Sequence, residues 1–226
     1  EPKRQQFMNP VIERLGLRFA DGIIVSPSEV NLDDLVAANI KEGAAKVSEN
    51  YIRYFRSGYS IMTPSACAVE VIDSTKGFEI TEVLASAGKG SWVEKETTDF
   101  INEKSVLNPA VGEVEKSNSI MLYLTRPVNN KEQRIFVIGD ADCISTLELS
   151  QNRPGFRSSN FTLITETFRN LSYGEFPVEA SRVNPPDDRV LVTRNVIFGI
   201  RVVLMWIIPL LFVTGCITLL IRRKRR

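Results

Sequence analysis

Histidine is absent from all 226 residues, and that gap removes a good deal of chemistry. Without imidazole there is no Ser-His or Cys-His nucleophile pair, and the commonest metal ligand is missing. Cysteine is nearly as scarce. Of three, Cys216 lies in an apolar run, which leaves Cys67 and Cys143 as the one possible pair elsewhere. One pair is no disulfide framework, and two buried free thiols are the reading adopted for them. A phosphate loop is lacking as well. The string Gly88-Lys89-Gly90-Ser91 has no first glycine four residues ahead of its Gly-Lys, so it reads as an exposed turn. Clustered positive charge is confined to the C-terminus. Of 28 Lys and Arg, six fall at or after Arg201, and the 22 before them face 27 Asp and Glu, a balance of −5 over residues 1–200. A mildly acidic surface is a poor match to nucleic acid, whose phosphates need grouped cations. No cofactor and no metal site is expected of this residue set.

What the chain does have is concentrated at its end. From Val202 to Ile221, twenty residues carry no Asp, Glu, Lys, Arg, Asn or Gln, and Arg222, Arg223, Lys224, Arg225 and Arg226 follow at once. As a helix this run spans roughly 30 Å, the thickness of a bilayer's hydrocarbon core. Short Lys- and Arg-rich flanks stay in the cytoplasm, so the basic tail marks the inner end and places the preceding domain outside, on a cell (inner) membrane. The expected layout is an extracytoplasmic domain over 1–180, a Pro- and charge-containing connector over 181–200, a transmembrane helix over 201–221 and a cytoplasmic tail over 222–226. Pro209 removes a backbone donor from the helix and marks a bend. Arg201 can snorkel to the outer headgroups, with Trp206 one to two turns deeper. Thr214, Gly215 and Cys216 are small enough to admit a second membrane helix as partner. An outward domain with no leader ahead of Glu1 is expected to be the C-terminal piece of a longer protein.

The first 180 residues read as mixed α/β. Asn9 and Pro10 open a short helix with Val11, Ile12 and Leu15 on one face, and Gly16 closes it. Leu17 to Phe19 and Ile23 to Val25 read as short strands. Asn31 is expected to cap a helix beginning Leu32-Asp33-Asp34-Leu35-Val36, its aspartates at the positive end of the dipole. Tyr51, Tyr54, Phe55 and Tyr59 suggest an aromatic platform, though helical spacing makes packing the better reading. Apolar runs at 66–72 and 78–84 lead to a polar stretch, 92–114, expected to be a surface excursion. Ile120 to Thr125 and Arg134 to Ile138 give the clearest strand signals, and the second ends in Gly139-Asp140-Ala141-Asp142. Open α/β sheets gather ligands at strand carboxyl ends, so Gly139, Asp140 and Asp142 are the candidate ligand-binding residues. Two carboxylates one residue apart can hold a hard cation, or they can bond the turn and cap the next segment, the commoner role. Asn160 is expected to cap a helix with Phe161, Ile164, Thr165 and Phe168 on one face and Gly174 beyond its end.

In order and spacing, these pieces resemble the GldG-like family, membrane-anchored auxiliary subunits of ABC transporters associated with bacterial gliding motility. The resemblance is carried by Glu1-Pro2 with Arg4-Gln5, Asn9-Pro10, Leu15-Gly16-Leu17, the run from Arg134 to Gly139-Asp140, then Asn160-Phe161 and the apolar helix with its basic end. It implies part of a flavodoxin-like or amidotransferase-like sheet domain outside the membrane, followed by one C-terminal transmembrane helix. It also implies no catalysis by this chain, with ABC permease and ATPase subunits and the lipid bilayer as partners. Two other classes share features with the sequence. A single-pass surface receptor or enzyme would use a ligand or metal pocket at Gly139–Asp142. A protein cleaved and sorted at its C-terminus would need an LPxTG-type motif before Val202, and none is there.

Overall fold

Residues 7–153, 155–176 and 194–225 are described by a computed structural model of the chain, which divides into two units, Glu1–Glu179 and Ala180–Arg226. In the first, Pro10 supplies the fixed φ of the opening turn of α1 (Asn9–Ile12), and Gly16, at φ 80°, ends the 3-10 turn after it. Asn9 is not the cap. Met8 precedes α1, and the Asn9 amide reaches the next strand instead, accepting from Phe19 N at 2.9 Å and donating to Phe19 O at 3.2 Å. That strand, β1 (Leu17–Phe19), and β2 (Ile23–Val25) lie where the sequence puts them.

Beyond Asn31 the expected helix is replaced by β3 (Leu35–Ile40). Val36, Ala38 and Ile40 are buried in alternation, the two-residue period of a strand, and Asp33 turns inward to accept from Ser105 N at 2.9 Å. Next comes α2 (Glu49–Arg56), capped by Ser48 Oγ, which accepts from Asn50 N. After it come β4 (Ile61–Pro64), β5 (Val69–Val71), β6 (Glu79–Ala85), β7 (Trp92–Glu94), β8 (Ser119–Val128), β9 (Lys131–Ile138), α3 (Thr146–Ser150) and α4 (Asn160–Leu171).

The main sheet runs β4-β3-β6-β8-β9, and every pairing in it is antiparallel. Two small antiparallel pairs, β1 with β5 and β2 with β7, complete the strands. This corrects the flavodoxin-like expectation, which requires parallel strands joined by helical crossovers. The clearest departure is between β8 and β9. Only Asn129 and Asn130 separate them, at φ 48° and 63°, and a two-residue turn of that kind folds the chain straight back.

The sheet is buried on both sides, which explains why Ile120 to Leu124 reads as unbroken apolar sequence. Met121 and Tyr123 join Val36, Ile40, Tyr51 and Leu163 in one core, while Leu122 and Leu124 pack with Ile12, Leu17, Val69 and Val137 in another. A third cluster of Val25, Trp92 and Phe100 draws the start of the expected surface excursion, 92–114, into the interior, since β7 and Phe100 are buried, while most of 95–112 is exposed.

The second unit is a helix from α5 (Arg194–Val202) through one π-helical stretch, Val203–Ile207, into α6 (Ile208–Lys224). Its segment Val196–Lys224 is long and apolar enough to cross a membrane, and it begins earlier than the expected boundary. Pro209 has no N–H to donate back along the helix, and the widened π turn immediately before it accommodates the missing bond and the ring. Thr214 and Thr218 return their hydroxyls to carbonyls of the preceding turn, so neither needs an outside partner. The expected connector, 181–200, lies largely outside the described residues.

Candidate functional site

The turn that ends β9 is built on a close backbone crossing. Gly139 N donates to Ile120 O at 2.8 Å, and Gly139 O accepts from Cys67 N at 2.9 Å and from the Cys67 thiol at 3.2 Å. A Cβ on Gly139 would stand 1.9 Å from Cys67 O, so the glycine is there to let the end of β9 meet the backbone of the β4–β5 connection. Asp140 comes next, 6% exposed, with Oδ1 accepting from Asp142 N at 2.7 Å. Its Oδ2 is buried and makes no hydrogen bond among the described residues. Burial pushes the Asp140 carboxyl up to about 7; the N–H groups of Asp142 and Cys143 oppose this, and the charges of Asp142 and Glu148 add to it.

The two carboxylates do not converge. Asp140 points into the domain, whereas Asp142 is exposed at the start of a 3-10 turn. Among the described residues no group of three or more Cys, Asp or Glu side chains could hold a metal ion. The bond from Asp142 N makes Asp140 a turn-forming residue, one that shapes the chain's exit from β9 into the 3-10 turn Asp142–Ile144. Antiparallel strands also alternate their carboxyl ends between the two edges of the sheet, so the crevice logic that singled out these residues does not apply to this fold.

Beneath the turn lies a buried polar layer. Asn160 completes all four of its hydrogen bonds: Nδ2 donates to Met62 O and Cys143 O at 2.7 Å each, and Oδ1 accepts from Met62 N at 2.9 Å and Ser158 Oγ at 2.7 Å. The sequence presented it as a helix cap, yet it makes no capping bond; it fastens α4 to β4 and to the segment after Asp140. Glu148, also buried, takes a bidentate fork from Arg153 at 2.9 and 2.5 Å. Cys67 and Cys143 are free, as expected, and burial raises both thiols, Cys67 to about 12. Neither carries appreciable thiolate at neutral pH.

Two features were not legible as motifs. Buried Glu94 and Glu113 organise the loop after β7. Glu94 accepts from Glu96 N, Thr97 N and Trp92 Nε1, and Glu113 from Lys95 N and Asn108 N. Burial works against charge on Glu94, but its backbone and indole donors hold its carboxyl below the usual range. Next to them a cavity of about 690 Å³ opens between α1, β1 and the 112–116 loop, lined by both signs of charge, Arg18, Lys95 and Lys116 against Glu13, Asp21 and Glu70. Its residues come from four separate stretches of chain, so no local spacing announces it.

Comparison with protein-family models, with curated proteins and with solved structures gives no match to this chain.

Proposed function

We propose that the chain is a non-enzymatic, bilayer-anchored auxiliary subunit of an ABC-type transport or gliding-motility complex of the GldG-like kind, its outer domain binding a partner or substrate. The observation that carries this reading is the apolar helix Val196–Lys224 running into five consecutive cations, behind a folded domain of mildly acidic composition. The helix fixes the domain to an inner membrane with the basic tail in the cytoplasm. The order and spacing of the short motifs from Asn9-Pro10 to Asn160-Phe161 supply the family. With no phosphate loop in the sequence, the energy of transport comes from a separate ATPase subunit, and the single helix links the outer domain to the permease.

The test is affinity purification of the full-length protein from detergent-solubilised membranes, with partners identified by mass spectrometry. An ABC permease and its ATPase recovered in fixed proportion is the expected result. Recovery of the protein alone, under conditions that keep other ABC assemblies intact, overturns the transport assignment.

A further inference from the structure

The cavity beside α1 is sorted by charge. One side is made by the turn after α1, by β1 with its continuation, and by β5, and it carries the carboxylates Glu13, Asp21 and Glu70. The single cation there, Arg18, is taken by Glu13 at 2.9 Å. The other side, β7 and the 112–116 loop, carries Lys95 and Lys116, and its one carboxylate, Glu113, is buried and turned onto Lys95 N at 2.9 Å and Asn108 N at 2.7 Å. The two sides are in backbone contact at Gly22, where a Cβ would stand 2.3 Å from Glu94 O. Buried or half-buried polar bonds fix both. Asn9 holds both backbone groups of Phe19, and Glu94 and Glu113 hold the loop after β7. Lys95 Nζ is occupied as well, donating to Val111 O at 3.2 Å and Gly112 O at 3.1 Å. Exposed Asp21 and Glu70 on one side and exposed Lys116 on the other are left with no ion-pair partner among the described residues.

We propose that this cleft binds a short zwitterionic peptide, its α-ammonium group at Asp21 and Glu70 and its α-carboxylate at Lys116, with Lys95 adding a second positive charge. Three observations choose that ligand. The first is charge: an anion alone is repelled by the carboxylate side and a cation alone by the lysine side, whereas a ligand with one charge of each sign at its two ends complements both. The second is size, since about 690 Å³ lies within the range of cavities that take a whole small molecule. The third is the rest of the lining, where Pro10, Phe19, Ala20, Val93 and Val114 offer apolar surface to the peptide's side chains between its charged ends. The proposal goes beyond the transport reading and does not rest on it, because it concerns the first unit alone.

The experiment titrates tri-alanine into the full chain, labelled with nitrogen-15 and held in detergent micelles, and follows the backbone amide shifts. N-acetyl-tri-alanine, tri-alanine amide and the doubly blocked peptide serve as comparisons. The expected result is saturable shifts at Asp21, Gly112 and Lys116, with a Kd that rises roughly three- to tenfold when either end is blocked, as loss of an exposed charge contact should cause. Asp21→Asn combined with Glu70→Gln should remove the penalty for acetylation and keep that for amidation, and Lys116→Gln should do the reverse. A folding defect cannot produce that selectivity, because it weakens all four peptides alike. No shift at these amides with millimolar tri-alanine overturns the proposal, as does equal binding of the doubly blocked peptide, or end-block penalties that the variants leave unchanged. Each of these results leaves the transport reading to its own test, the purification of membrane partners.

Discussion

At the scale of single residues, the strand-end turn explains itself through contacts the sequence could not display. Gly139→Ala should cost on the order of 3 kcal/mol, since the new methyl would meet the Cys67 carbonyl and not a pliable side chain; urea denaturation in detergent measures it. Asp140 makes a prediction about pH. Its carboxyl is held at about 7 in the folded state against roughly 3.9 unfolded, so between those values the folded protein keeps a proton that the unfolded chain has released. Stability from this group is therefore full below the lower value, falls as pH rises, and levels off above about 7. Asp140→Asn retains an acceptor for Asp142 N and never charges, so it should gain on the order of 2–3 kcal/mol relative to wild type between about pH 5 and about pH 8. Thermal unfolding at the two pH values checks the sign; a constant difference refutes it. The sequence picked out Gly139, Asp140 and Asp142 correctly as a turn after a strand. It could not show that Gly139 meets the Cys67 backbone some 70 positions earlier, or that Asp140 faces inward and Asp142 outward, which the packed fold decides.

At the scale of elements, legibility depended on how local the determining interactions are. Gly16 ends its turn through near neighbours and could be read directly; β1 and β2 lie where the sequence puts them although their partners are β5 and β7, and β8 and β9 were visible as strands while their antiparallel pairing was not. The helix expected after Asn31 failed because burial of alternate residues in β3 outweighed the helix-start chemistry of Asn31 and Asp33. The α4 helix was placed correctly, but the face that apolar spacing picks out is not the one the fold buries. Apolar periodicity chose Phe161 and Phe168, whereas the structure buries Asn160, Leu163 and Glu166, whose partners come from β4, α2 and the turn after β9. That reversal is measurable. Phe161→Ser should change stability by less than about 0.5 kcal/mol, Leu163→Ala should cost roughly 2–4 kcal/mol, and Asn160→Ala, which strands the Met62 and Cys143 backbone groups, about 2–4 kcal/mol. Chemical denaturation of the three variants gives the ranking, and Phe161 proving the most sensitive would contradict the observed packing.

At the scale of the whole molecule, the division into a folded unit and an apolar helix was the most legible feature. It depends on composition over tens of residues, and no single long-range contact decides it. The direction of the sheet was the least legible, since parallel and antiparallel strands use the same residues and differ in how their connections run. The central claim is that Val196–Lys224 spans a membrane with the tail inside and the domain outside. Protease treatment of sealed inverted inner-membrane vesicles carrying the full chain, with an epitope added after Arg226, tests it most directly. The expected result is loss of the epitope while a fragment containing the first unit remains protected until detergent is added. Digestion of the first unit in intact vesicles, or release of the whole chain by alkaline extraction, would contradict it.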